Sequence, residues 1–73
     1  MIIVHAPLKR DFIIELLNNK RINGIHFQYV RSDKMKLYFQ VEGDLNEAVK
    51  IAKSTIKSSE FGMALYFMVE AIT

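Results

Sequence analysis

The 73-residue chain has no cysteine and no tryptophan, one proline, three glycines and two histidines. Each scarcity removes a class of chemistry. Without cysteine there can be no disulfide and no thiolate metal site. Gly24, Gly43 and Gly62 each fall at a different element boundary. They are too few and too scattered to cradle a phosphate. His5 and His26 are the only imidazoles, and they stand on different predicted strands with no metal-ligand spacing. The longest apolar run, residues 63–69, falls far below the roughly 20 residues that span a bilayer. The start "MIIV" has no basic residue before it and meets His5, Pro7, Lys9, Arg10 and Asp11 at once, unlike a secretory leader. These absences predict a cytoplasmic protein with no membrane partner.

A chain of this length folds as one domain, residues 1–73, and buries only about 60% of its unfolded surface. With disulfides and thiolate metal sites excluded, association is the supplement that remains. A composition 51% hydrophobic and 25% charged fits a folded globule, not a disordered tail. The net charge of +2 is too mild to require a polyanion partner.

The apolar spacing predicts six elements. Ile2 to His5 reads as a strand ended by Ala6-Pro7. Leu8, Phe12, Ile13, Leu16 and Leu17 then recur at helical spacing, so residues 7 to 20 read as an amphipathic helix. Asn18 to Gly24 is expected as a stop and turn. Two alternating runs follow, one over residues 25–30 and one over 35–42, with Ser32-Asp33-Lys34 as the turn of a hairpin. Asp44 and Glu47 form a D-x-x-E capping box for a second helix, whose stripe is Leu45, Ala48, Val49, Ala52 and Ile56. The closing stretch "FGMALYFMVEAIT" predicts a last strand over residues 63–70. The order β-α-β-β-α-β implies a ferredoxin-like α+β fold. Its sheet would be four-stranded and antiparallel, in the order 4-1-3-2, with two helices on one face.

That last strand is apolar on both faces. Met63, Leu65, Phe67 and Val69 are expected under the helices, with Phe27, Tyr29, Leu37 and Phe39. The open face would carry His26, Gln28, Lys36, Tyr38, Gln40 and Glu42, with Ile3 and His5 or Ile2 and Val4 from the first strand. A contiguous apolar patch on an edge strand without Pro or Lys calls for a partner. Ala64, Tyr66, Met68 and Ile72 are therefore the candidate self-association residues of a homo-oligomer, most simply a dimer.

Catalytic signals are poor. No serine or threonine sits in a nucleophile elbow, and Asp11 and Glu15, one helical turn apart, have no visible pocket to split their pKa values. The expectation is a non-enzymatic interaction or regulatory module with no catalytic residue, cofactor, metal or small-molecule substrate. The alternative is a nucleic-acid-binding module using the basic end, where His5, Lys9, Arg10, Arg31, Lys34 and Lys36 gather with Tyr38 as a stacking platform. In strand order the chain is similar to RNA-recognition motifs, and "KMKLYFQV", residues 34–41, occupies the place of their third-strand motif. Tyr38 alone matches an outward stacking aromatic; the motif glycine and a first-strand aromatic are missing. The acylphosphatase loop, the CxxC of heavy-metal-associated domains and the glycine-rich loop of ACT-type domains have no counterpart. The likeness therefore stops at the fold.

Overall fold

The computed structural model describes residues 1–62 and 64–72. Seven elements follow in order: β1 (Ile2–His5), α1 (Arg10–Leu17), β2 (Lys20–Ile22), β3 (Ile25–Asp33), β4 (Lys36–Glu42), α2 (Leu45–Lys57) and β5 (Met68–Ala71). The result is an α+β domain with an antiparallel sheet in the order β2-β3-β4-β1-β5. The expected four-stranded 4-1-3-2 sheet is thus corrected to five strands. The added strand lies in the stretch expected to be only a turn. Asn23-Gly24 takes φ of 49° and 83° and joins Ile22 directly to Ile25. Two residues with positive φ make the tight hairpin turn that suits the right-handed twist of paired strands.

α1 ends at Leu17, short of the expected residue 20, because Asn18 takes extended geometry, and β2 starts at Lys20. Asn18 ends the helix with its N–H bonded to the Ile14 carbonyl. Its side-chain oxygen accepts the Tyr29 N–H at 2.9 Å, and Asn19 N–H bonds the Phe27 carbonyl. Asn18 therefore closes the helix and also satisfies β3 where β2 no longer reaches it. Just beyond, the β3–β4 register slips between Tyr29 and Arg31. Val30 is the extra residue of a bulge, which bends the strand and increases its twist.

Register assigns the faces, because residues directly opposite in an antiparallel sheet point to the same side. Ile2 pairs with Phe39, and Val4 pairs with Leu37 and Val69. With Phe27 they form one buried cluster with Ile13 and Leu17 of α1 and with Ala48, Ile51, Ala52 and Ile56 of α2. Both helices therefore lie on one face. Ile3 and His5 take the other, alongside Tyr38, Lys36, Glu70 and Met68. α2 begins as its capping box predicts, with the Asp44 carboxylate accepting the Glu47 N–H at 3.0 Å.

Three boundaries differ from expectation. α1 starts at Arg10, not at Pro7, because Lys9 takes φ 58° and offers no side-chain cap. The β3–β4 turn is Lys34-Met35, not residues 32–34, since Asp33 still pairs with Lys36. The last strand covers only Met68–Ala71. Met63 lies outside the described residues. Ala64 and Leu65 both donate N–H bonds to the Phe61 carbonyl, forming a turn, and Tyr66 and Phe67 carry no strand pairing. Leu65 and Phe67 are half-buried against the core, and only Val69 of that set is fully inside. The alternation reads as a strand, but a tight turn after α2 uses up its first half.

Gly62 makes that turn possible. A Cβ there would stand 2.0 Å from the Lys57 carbonyl oxygen, and backbone cannot swing away from it. Gly62→Ala should therefore lower the stability of the domain by about 2 kcal/mol, and Asn18→Ala by about 1–2 kcal/mol through the stranded Tyr29 N–H. Urea unfolding checks both; midpoints equal to the parent protein's would refute the assigned roles.

Candidate functional site

The sheet ends unequally. At one end, His5 stands between Lys36 on β4 and Met68 on β5. Just past it, the Ala6 N–H bonds the Met35 carbonyl at 2.9 Å, so the β1–α1 turn is fastened to the tip of the β3–β4 hairpin. The coil before β5 brings Tyr66 to the same place. Together they line a half-open cavity of about 400 Å³, walled by Ala6, Pro7, Met35 and Tyr66, with His5, Asp33, Lys34 and Lys36 around it.

This arrangement joins two residue groups that the sequence had kept separate. Tyr66 belongs to the predicted association set, and His5, Lys34 and Lys36 to the predicted basic end. The other members are placed as follows. Met68 is exposed on the open face beside His5, and Ala64 is exposed in the Phe61–Leu65 turn. Ile72 lies at the far end of β5, half-buried, with its N–H on the Met1 carbonyl. Three residues lie between Met68 and Ile72, and four extended steps put them roughly 13 Å apart. Ile72 is therefore not part of the Tyr66–Met68 surface.

The remaining cations of the basic end are held in place by the fold. Arg10 Nη1 donates to the Pro7 carbonyl at 2.8 Å and to the Ala6 carbonyl at 3.4 Å. The guanidinium spans the turn that its own helix follows, so its charge serves the loop. Lys9 Nζ lies 4.5 Å from the centre of the Phe61 ring, and Phe61 packs edge-on against Phe12 at 4.9 Å. Arg31 stacks over Tyr38 at 4.1 Å, which covers one face of the proposed stacking platform. Lys34 and Lys36, in contrast, have no carboxylate within 4.0 Å among the described residues.

The open face also carries two cross-strand pairs. His5 Nε2 donates to Glu70 Oε1 at 3.0 Å, and His26 Nδ1 lies 3.5 Å from Glu42 Oε1. On the same face Ile3 is only 6% exposed. The described residues contain no group of three or more His, Asp or Glu placed to hold a metal ion. No helix among them is long and apolar enough to cross a membrane.

Met35, Ala6, Pro7 and Asp33 were missing from the sequence-based site. One signal for them was legible: a methionine at the tip of a hairpin, where polar residues are favoured, is an apolar side chain with nothing to bury it. The chain matches no protein-family model, and neither curated proteins nor solved structures offer a similar one.

The Arg10 contacts generate a direct check. Arg10→Met keeps an unbranched apolar stem but removes both carbonyl bonds, a loss of about 1 kcal/mol. The expected outcome is a lower melting temperature and faster tryptic cleavage after Lys9. Cleavage at the parent rate would show that the guanidinium does not hold the turn.

Proposed function

We propose that this chain is a non-enzymatic interaction module, ferredoxin-like with one added edge strand, that self-associates as a homodimer through the β1–β5 side of its open sheet face. The observation that carries this reading is the distribution of exposed apolar side chains. Five large ones are exposed among the described residues: Leu8, Val30, Met35, Tyr66 and Met68. Three of the five meet at one end of the sheet. Tyr66 is 73% exposed and Met68 55%, and Met35 shares a cavity with Tyr66. Single exposed apolar residues are ordinary, but a cluster on a small domain marks a contact surface.

Two contact geometries are available, face to face or β5 edge to β5 edge. Met1 and Ile72 exchange both backbone bonds, so alternation turns the N–H and C=O groups of Val69 and Ala71 outward, ready for pairing. Lys53 and Lys57 of α2 border that edge, lining a small groove with Phe67, Met68 and Val69. Pairing two copies about a two-fold axis there would bring these lysines toward their own counterparts. Like charges in that position disfavour an edge contact, which leaves the face. A stable interface covers roughly 800 Å² per partner, about a sixth of the 4675 Å² surface. Tyr66, Met68 and Met35 supply only its centre, so the dimer is expected to be weak, with a dissociation constant in the micromolar range.

The nucleic-acid alternative draws on Lys34 and Lys36. It has less support, because Lys9, Arg10 and Arg31 are already engaged with Phe61, backbone carbonyls and Tyr38.

Sedimentation equilibrium of the parent chain and of Tyr66→Lys combined with Met68→Lys tests the proposal. A concentration-dependent rise toward twice the 8.5 kDa chain mass is expected for the parent and should vanish in the double variant. A parent that stays monomeric at hundreds of micromolar overturns it. Saturable binding of a single-stranded oligonucleotide at low salt, lost on Lys34→Glu with Lys36→Glu, would favour the alternative.

A further inference from the structure

The cavity at the hairpin end has a chemistry of its own in the monomer, although the proposed dimer would cover its Met35 and Tyr66 walls. Its volume of about 400 Å³ lies within the range of small-molecule sites, roughly 300–1,000 Å³. Its walls are apolar and soft: the Met35 thioether, the Tyr66 ring and the flat edges of Pro7 and Ala6. Met35 and Tyr66 are both more than half exposed, and both line the cavity. A thioether and an aromatic ring lining one cavity favour a flat apolar body.

Charge defines the other half of the occupant. Lys34 and Lys36 rim the cavity without carboxylate partners among the described residues. Asp33 is the one carboxylate lining it, and the imidazole of His5 is bonded to Glu70. Counted over the Lys and Asp side chains that line the cavity, two cations stand against one anion. A monoanion balances that surplus; a phosphate dianion would overshoot it and face Asp33. Lysine ammonium groups are compact point charges, suited to a single anionic group without the bidentate geometry of arginine.

The geometry points to a binding site for a planar aromatic monocarboxylate between the β1–α1 turn, the β3–β4 hairpin tip and the coil before β5. Its ring lies between Met35 and Tyr66, and its carboxylate meets Lys34 and Lys36. The fold keeps the site assembled through the Ala6–Met35 backbone bond and the Arg10 bonds across the turn.

Titration with 2-naphthoate, followed by amide chemical shifts in a ¹H–¹⁵N spectrum, tests this at protein concentrations where the chain is monomeric by sedimentation. Saturable shifts are expected at Lys34, Met35, Lys36 and Tyr66. Lys34→Gln with Lys36→Gln should weaken binding about tenfold, the sum of two exposed charge contacts. Met35→Ala should weaken it as well, and both variants should retain the dispersed spectrum of the parent. Neutral 2-naphthalenemethanol should bind more weakly than the carboxylate, and 2-naphthyl phosphate no more tightly. Equal affinity for the neutral alcohol would reduce the site to a bare apolar patch and overturn the proposal. Tighter binding of the phosphate would overturn the monoanion assignment. Absence of saturable shifts at millimolar 2-naphthoate would refute the site itself, whatever the oligomeric state proves to be.

Discussion

Ile2, Ile3 and Val4 are buried from both faces of the sheet, and the long-range order of the molecule depends on those three side chains. β1 is only four residues long, yet it sits between β4 and β5 and supplies the junction through which the last strand joins the rest. Ile2 and Val4 are fully buried beneath the helices, in register with Phe39, Leu37 and Val69. Ile3, on the opposite face, is buried between Tyr38 and Glu70 in register. A short strand has few ladder bonds, so its position rests on side-chain burial, about 1.5–3 kcal/mol for each fully buried aliphatic residue. Without β1 the β3–β4 hairpin and β5 would have no contact in the sheet.

The candidate site follows from the same strand. Where β1 ends, His5 still belongs to the open face, and Ala6 turns the chain toward α1 while bonding the hairpin tip. That bond fixes the distance between the turn and the hairpin, and so fixes the cavity between them. Arg10 closes the turn from the helix side. A cation at a helix N-terminus is unfavourable by the dipole argument, but the two carbonyl bonds offset that cost. The apparent misplacement of Arg10 is therefore explained by the local fold, with no external anion needed.

Much of the architecture was legible in local pattern. The hairpin alternation of Ile25, Phe27 and Tyr29 against Leu37, Phe39 and Val41 gave the faces correctly, and Asp44 with Glu47 marked the start of α2. The added strand was also legible, since Asn23-Gly24 between Ile22 and Ile25 is a strong two-residue hairpin signal; the asparagine-rich stretch around it reads as a helix stop instead. The last strand misled for the opposite reason. Residues 64–67 alternate as a strand should, yet they follow a helix end packed so closely on Gly62 that the chain must turn before it can extend. Periodicity records which residues prefer burial; it does not record how far the chain must travel between two fixed elements.

The sequence by itself determined what is local or compositional: the absence of disulfides and thiolate sites, the helix stripes, the hairpin, the capping box and an apolar excess near the C-terminus. Only the tertiary structure decided where that excess goes. It sent Val69 into the core and left Met68 on the open face. It carried Tyr66 out of the strand to meet Met35 and the two lysines of the hairpin. These residues are separated by about thirty positions, and no spacing rule links them. Their meeting is set by the register of β1 between β4 and β5 and by a turn with no room for a side chain, both of them packing constraints.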